Sequence, residues 1–294
     1  MREGRIVKAL SGFYYVKTAD GKTYQCRGRG VFRNQDITPL VGDFVVFEYE
    51  NPNEGYIMEV KPRRNELIRP PIANITQAII VTSAKEPDFN PTLLDRFLVL
   101  IESKKIKPII AITKMDLVTV EERTELEHHR DVYEKIGYDV EFLSLEDMQE
   151  YEKLNKYFRD EITVIAGQSG VGKSTILNMV DSSLNLKTAE ISASLGRGRH
   201  TTRHVELIEL GQGLVADTPG FSSLELDSVE ANELTFCFPE FRERMHLCKF
   251  RGCLHVQEPN CAVKKAVETD EIATFRYENY KRFLEEISSR KSRY

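Results

Sequence analysis

Two patterns of apolar and polar positions divide the chain. Over residues 1–69 the apolar runs are short and β-rich: Arg5–Ala9, Phe13–Val16, Thr23–Cys26, Phe44–Phe47 and Tyr56–Val60, with Gly, Asp and Asn turns between them. Five such strands predict a small β-barrel. After Pro70-Pro71 the pattern changes. Strand-like runs at Pro108–Ile112, Asp139–Leu143, Ile162–Ala166 and Gly213–Ala216 now alternate with helical patterns such as Leu93–Ser103 and Glu121–Ile136. Buried strands alternating with helices predict a mainly parallel sheet with crossover connections. Beyond residue 225 the chain reads as mostly helical, ending in a helical stretch from Ile272 to Arg293. The expected fold is multidomain α/β, with a β-barrel at 1–69, an α/β domain at 70–225 and a third domain at 226–294; a length of 294 residues suits this division.

One strand of the central domain runs directly into chemistry. Ile162–Ala166 is followed by Gly167-Gln168-Ser169-Gly170-Val171-Gly172-Lys173-Ser174, and Thr175-Ile176-Leu177-Asn178-Met179 then opens a helix. This is a complete phosphate-binding loop in its required strand–loop–helix setting. Glycines let backbone N–H groups turn inward around a β-phosphate, Lys173 sets a charge against the β/γ oxygens, and the Ser174 hydroxyl suits Mg²⁺. The loop alone implies a nucleoside triphosphate without saying which.

The base is specified upstream. Pro108–Ile112 ends in Thr113-Lys114-Met115-Asp116, a Thr variant of the Asn/Thr-Lys-x-Asp guanine signature. Asp116 can accept from guanine N1–H and N2–H₂ together, a donor pair adenine lacks, and the Lys114 stem can cover the base. Thr113 stands where Asn is commoner, and its lack of an amide is expected to weaken the tie to the phosphate loop. Downstream, Asp217-Thr218-Pro219-Gly220 reads as a γ-phosphate sensor: Asp217 toward a Mg²⁺-bound water, the Gly220 N–H toward the γ-phosphate. Between loop and sensor, Gly196-Arg197-Gly198-Arg199-His200-Thr201-Thr202-Arg203 suits a segment ordered by nucleotide, with Thr202 as the Mg²⁺ ligand and Thr201 second.

Base-reading thus precedes phosphate-binding, the reverse of the usual order, so the domain reads as circularly permuted. Sites built from loops at the carboxyl ends of parallel strands survive such rewiring. The second guanine-side loop then follows Asp139–Leu143, at Ser144-Leu145; Ser83-Ala84-Lys85 is the alternative.

At the C-terminal end, Cys248, Cys253, His255 and Cys261 offer three thiols and an imidazole within fourteen residues, a donor set suited to one structural Zn²⁺. His246 is an alternative ligand, and Cys26 and Cys237 fall outside the set.

The order of these motifs, with the Cys/His cluster, resembles the bacterial ribosome small subunit-dependent GTPase A family of circularly permuted GTPases. The resemblance spans essentially the whole chain through Thr113–Asp116, the GQSGVGKS loop, the RGRHTT segment and DTPGF. It implies an N-terminal OB-fold, a central GTPase domain and a C-terminal zinc domain. It also implies GTP hydrolysis stimulated by the small (30S) ribosomal subunit, 16S rRNA binding and a role in late subunit maturation. GTP with Mg²⁺ and one zinc per chain are the implied cofactors, and a monomer is expected.

Charge adds a weak RNA signal. The chain carries 41 basic and 46 acidic residues, yet residues 1–70 hold 12 and 9, and residues 237–294 again 12 and 9, so two basic ends flank an acidic centre. Arg27, Arg29 and Arg33 with Tyr14 and Phe32 are the N-terminal candidates for backbone and stacking contacts, and Arg276, Lys281, Arg282, Arg290, Lys291 and Arg293 the C-terminal ones. With no signal peptide or long apolar span visible, and cysteines that do not form a disulfide framework, the chain is expected to be cytoplasmic and not membrane-bound.

Phe221 follows Asp217–Gly220 where many GTPases carry a water-orienting glutamine, so intrinsic turnover is expected to be slow. His200 beside the two threonines is the internal candidate to position water, with Thr202 and Lys173 completing the catalytic set. Two rivals stay open: a P-loop ATPase, and a nucleotide-controlled RNA-binding module with little turnover.

Overall fold

The computed structural model describes residues 1–30, 32, 37–68, 70–181, 205–217 and 225–290. Its contacts gather the described residues into two units. One takes them from Met1–Ala78, Tyr151–Ile165 and Lys173–Phe221, the other from Ile79–Glu150, Ala166–Gly172 and Ser222–Tyr294.

In the first unit the five predicted N-terminal strands all form: β1 (Arg2–Leu10), β2 (Phe13–Lys17), β3 (Thr23–Gly28), β4 (Phe44–Asn51) and β5 (Glu54–Val60). Their order is β1-β2-β3-β5-β4, and β4 pairs back antiparallel onto β1 from Arg2↔Phe47 to Arg5↔Phe44, closing the barrel. Among the described strands of the barrel only β3 and β5 pair in parallel. Alternate residues point inward, and Ile6, Val16, Cys26, Val45, Phe47 and Ile57 fill the interior. One carboxylate is buried here: Asp43 accepts Arg63 Nε and Nη2, both at 2.8 Å, and the Leu40 N–H at 2.7 Å. That fork fastens the segment after β5 to the start of β4, just before the small ribbon of β6 (Glu66–Leu67) and β7 (Ile72–Ala73).

The barrel does not stand apart from the sheet strands of its own unit. A strand absent from the sequence expectations, β12 (Val205–Leu210), pairs antiparallel with β1 at Lys8↔Glu206 and Ala9↔Val205. The Lys8 ammonium meets the Glu206 carboxylate at 2.7 Å across that join. On its other side β12 pairs antiparallel with β13 (Gly213–Asp217), which runs parallel to β11 (Ile162–Ala166). The helix Lys173–Val180 also belongs to this unit.

The second unit holds strands in the order β10-β9-β8, from β8 (Gln77–Ser83), β9 (Lys107–Thr113) and β10 (Asp139–Phe142). β9 and β10 are parallel, from Ile109↔Asp139 to Ile112↔Phe142. Helix α1 (Pro91–Ser103) starts where Asn90 caps the Leu93 N–H at 3.0 Å and Pro91 fixes the first turn, and it buries Leu94, Phe97, Leu98 and Ile101. Helix α2 (Val120–Lys135) opens on a capping box between Thr119 and Glu122. After short helical turns between Ala231 and Leu247 come α3 (Ala262–Glu268) and α4 (Thr274–Ser288).

The Arg276 guanidinium lies in the interior of this unit. It donates to Asp95 of α1 at 2.5 Å and to Glu240 at 2.7 and 3.2 Å, while Tyr133 of α2 and Asn279 of α4 also donate to Asp95, at 2.7 and 2.6 Å. Burial works against its charge, but Asp95 and Glu240 outweigh that and hold its pKa well above the ordinary arginine value. A residue expected on a solvated RNA-facing helix is therefore a core ion-pair centre. No helix among the described residues is long and apolar enough to cross a membrane.

Candidate functional site

The predicted base-reading segment sits where β9 ends. Thr113 is buried, and its hydroxyl donates to the Val171 carbonyl at 2.6 Å. The expected weakening of the tie to the glycine-rich loop is not found, because a hydroxyl supplies the one donor the contact needs. Lys114 follows in the left-handed region at φ 59°, and its ammonium reaches the Glu86 carbonyl. Asp116 Oδ1 accepts the Leu145 N–H at 3.1 Å.

Both candidate guanine-side loops flank this segment. On one side, Ala84 N–H donates to Thr113 O at 2.9 Å, Ser83 Oγ to Pro87 O at 2.6 Å, and the Lys85 ammonium pairs with Glu122 at 2.7 Å. On the other, Leu143 N–H donates to Ile112 O at 2.8 Å, Met115 N–H to Leu143 O at 3.1 Å, and Ser144 N–H to Glu150 Oε2 at 2.7 Å. Of the two, the Ser144-Leu145 side supplies the N–H that meets the Asp116 carboxylate.

The glycine-rich loop follows β11. Gly167 has φ 141°, and a Cβ there would come within 2.2 Å of the Val81 carbonyl oxygen, so only glycine fits. Gly170 and Gly172 also take positive φ, at 82° and 95°, while Gln168, Ser169 and Gly170 are exposed and Val171 is buried beneath them. The chain enters its helix at Lys173, with Ser174 buried and Thr175 half-buried in the first turn. Burial lowers the Lys173 pKa below the ordinary lysine value, an environment in which a bound anion stabilises the charge. Asp217 is the last residue of β13. His200, Thr201, Thr202, Gly220 and Phe221 lie outside the described residues.

The second unit also holds a candidate metal centre. The ligand atoms of Cys248, Cys253, His255 and Cys261 all lie within 4.8 Å of one another. Cys248 Sγ is 3.6 Å from His255 Nδ1 and 3.9 Å from Cys261 Sγ, and His255 Nδ1 is 3.2 Å from Cys261 Sγ. Edges near these are what a tetrahedron of Zn–S bonds of about 2.3 Å and Zn–N bonds of about 2.0 Å requires. Burial, with the neighbouring Cys261 and Cys248 thiols, pushes the Cys253 thiol up to about 12. His255 sits at φ 61° and turns Nδ1, not Nε2, toward the Cys261 and Cys248 thiols, so the ring would bind through Nδ1, while Nε2 is buried without a hydrogen-bond partner. Around it, Glu258 accepts the Leu254 N–H at 2.7 Å and the Val256 N–H at 3.1 Å, while Tyr277 and Tyr280 of α4 donate to His255 O at 2.7 Å and Leu254 O at 3.0 Å. Donor types, distances and buttressing all fit one zinc ion; His246 is outside the cluster.

The proposed RNA residues fare unevenly. Arg27 and Arg29 are exposed, with Arg27 over the Phe13 ring at 4.8 Å, and Tyr14 is half-buried. Phe32 is buried and has no free face to stack on, and Arg33 lies outside the described residues. Among the described residues the exposed barrel aromatics are Phe44, with the Arg5 guanidinium 4.2 Å from its ring centre, Tyr49 and Tyr56, none of them foreseen from sequence as RNA contacts. Strand alternation could have found Phe44, which precedes inward-facing Val45. On α4, Lys281 and Arg282 remain at the surface; beyond it Arg290 donates to Leu226 O at 2.7 Å, and Lys291 and Arg293 lie outside the described residues.

Comparison with known proteins gives a consistent result. The RsgA GTPase family matches residues 60–227, and the RsgA N-terminal domain matches residues 3–57. The chain is 63% identical over 294 residues, all of both chains, to small ribosomal subunit biogenesis GTPase RsgA 2 of Oceanobacillus iheyensis, and 60% identical over the same full span to RsgA of Bacillus cereus. Among solved structures it resembles YloQ, described as a circularly permuted GTPase, at 51% identity and a TM-score of 0.87, covering 100% of this chain and 97% of that one. YjeQ from Thermotoga maritima matches at 35% identity and a TM-score of 0.87, covering 99% of each chain.

Proposed function

The chain belongs to the RsgA GTPase family, and from that premise we propose that it hydrolyses GTP to GDP and phosphate in the maturation of the small ribosomal subunit, binding 16S rRNA as a cytoplasmic monomer. The observation that carries the nucleotide reading is the buried 2.6 Å bond from Thr113 to Val171, because it locks a guanine-reading strand end to a glycine-rich loop.

In this reading Asp116 takes guanine N1–H and N2–H₂, Lys114 covers the base, and Ser144-Leu145 closes the other edge. Backbone N–H groups from Gly167 to Gly172 receive the phosphates. Lys173 would neutralise the β/γ oxygens, and Ser174, Thr202 and Asp217 would hold Mg²⁺. Mg²⁺, when bound, would neutralise charge on the β- and γ-phosphate oxygens. The Gly220 N–H meets the γ-phosphate and His200 positions the attacking water. Phe221 offers no hydrogen bond to that water, so the small subunit is needed to complete the arrangement. The domain division is 1–69 for the RNA-binding barrel, 70–225 for the permuted GTPase domain and 226–294 for the zinc domain, supported by the closed barrel and the Cys₃His cluster.

The deciding experiment is GTP turnover by the purified protein alone, with small subunits, and with large subunits as control. Selective stimulation by small subunits is expected; tight GTP binding without stimulation would leave a nucleotide-controlled binding module instead.

A further inference from the structure

We propose that Glu150 is a positioning residue for guanine recognition: its carboxylate clamps the Ser144 N–H and so fixes the Leu145 peptide against Asp116. The inference rests on the reading of Asp116 as the guanine acceptor.

Strand pairing carries the chain one residue past β10, since Leu143 donates to Ile112 O and accepts from Met115 N–H. There it stops, and the next two N–H groups are taken by carboxylates: Ser144 by Glu150 Oε2 at 2.7 Å and Leu145 by Asp116 Oδ1 at 3.1 Å. The intervening turn brings Glu150 back to Ser144. Within it Glu146 N–H donates to Ser144 Oγ at 3.1 Å, Asp147 N–H to Ser144 O at 3.2 Å, Gln149 N–H to Asp147 Oδ1 at 2.9 Å and Glu150 N–H to Asp147 O at 3.2 Å. Packing contributes little to this loop. Leu145 and Met148 are 52% and 51% exposed, whereas Ser144 and Glu150 are half-buried. Hydrogen bonds therefore hold its shape, and the charge-assisted one at Glu150 closes it.

The consequence falls on Asp116. An ionised carboxylate has about four acceptor sites, so it can keep Leu145 and still receive both guanine donors, provided its plane is fixed beforehand. Leu145 supplies that orientation only while its own peptide is held, and the Ser144 N–H is the adjacent anchor. Preorganisation of this kind strengthens binding by removing the ordering cost.

The test compares Glu150→Ala, Glu150→Gln and Asp116→Asn in the full chain, by titration with fluorescent GDP and with IDP, which lacks the N2 amine. Glu150→Ala is expected to weaken GDP about tenfold, to raise KM for GTP with a smaller effect on kcat, and to shrink the GDP/IDP preference, which general loss of fold would not alter selectively. Glu150→Gln should recover most of the affinity, since its amide oxygen accepts the same N–H. GDP binding by Glu150→Ala within twofold of the parent, or an equal loss in Glu150→Gln, overturns the clamp while leaving Asp116 in place. Retention of guanine preference by Asp116→Asn overturns the base-reading assignment itself.

Discussion

At Thr113 a single side chain joins the base-reading strand to the glycine-rich loop, and the residue type alone understated that bond. Sequence shows which atoms a side chain owns; whether one hydroxyl suffices depends on where Val171 O lies, 2.6 Å away here. Gly167 is the opposite case. Its motif already demanded glycine, and the 2.2 Å approach to Val81 O supplies the reason. His200 was legible only as a candidate, because water positioning depends on a partner as much as on the chain. His200→Ala is expected to lower small-subunit-stimulated turnover about a hundredfold, the lower range for losing a positioning or proton-transferring group, with GDP affinity essentially retained. Steady-state turnover at saturating subunit checks this, and unchanged turnover would remove His200 from the mechanism.

Among the elements, β1 to β5, β9, β10 and α1 were readable because their periodicity and caps agree with their final burial. β12 was not, since Glu206 and Glu209 fall three apart and break the strict alternation of a half-buried strand, and its partner is β1, about two hundred residues away in the chain. Helix α4 was readable as a helix, but its Arg276 was misread as a surface residue. Positive charge on a helix usually marks a solvated face, but Asp95 from α1 and Glu240 from the short helical turns converge on Arg276. Removing one member of a buried ion pair strands the others, so Arg276→Ala should cost about 3–5 kcal/mol. Urea unfolding measures it, and a loss below about 1 kcal/mol, the range of exposed pairs, would show that water replaces the pair.

For the whole molecule, the zinc cluster and the Arg276 network both draw on α4. Tyr277 and Tyr280 brace the carbonyls of His255 and Leu254, while Arg276 and Asn279 engage α1. Loss of metal should therefore propagate within the second unit. Chelation, or Cys253→Ser, is expected to lower the melting temperature by about 10 °C or more, and elemental analysis of the untreated protein should give one zinc per chain. An unchanged melting curve with zinc removed would make the ion incidental.

The sequence by itself carried the local motifs, Thr113–Asp116, the GQSGVGKS loop, Asp217–Gly220 and the Cys₃His set, in the order of a circularly permuted GTPase. Motifs are local because each must present several atoms within a few residues of chain, so they survive as readable text. Tertiary structure decided what joins distant segments: Thr113 with Val171, Arg276 with Asp95, Phe32 turned inward, and β12 paired with β1. Those outcomes depend on which groups meet when water is excluded, a property of no single segment.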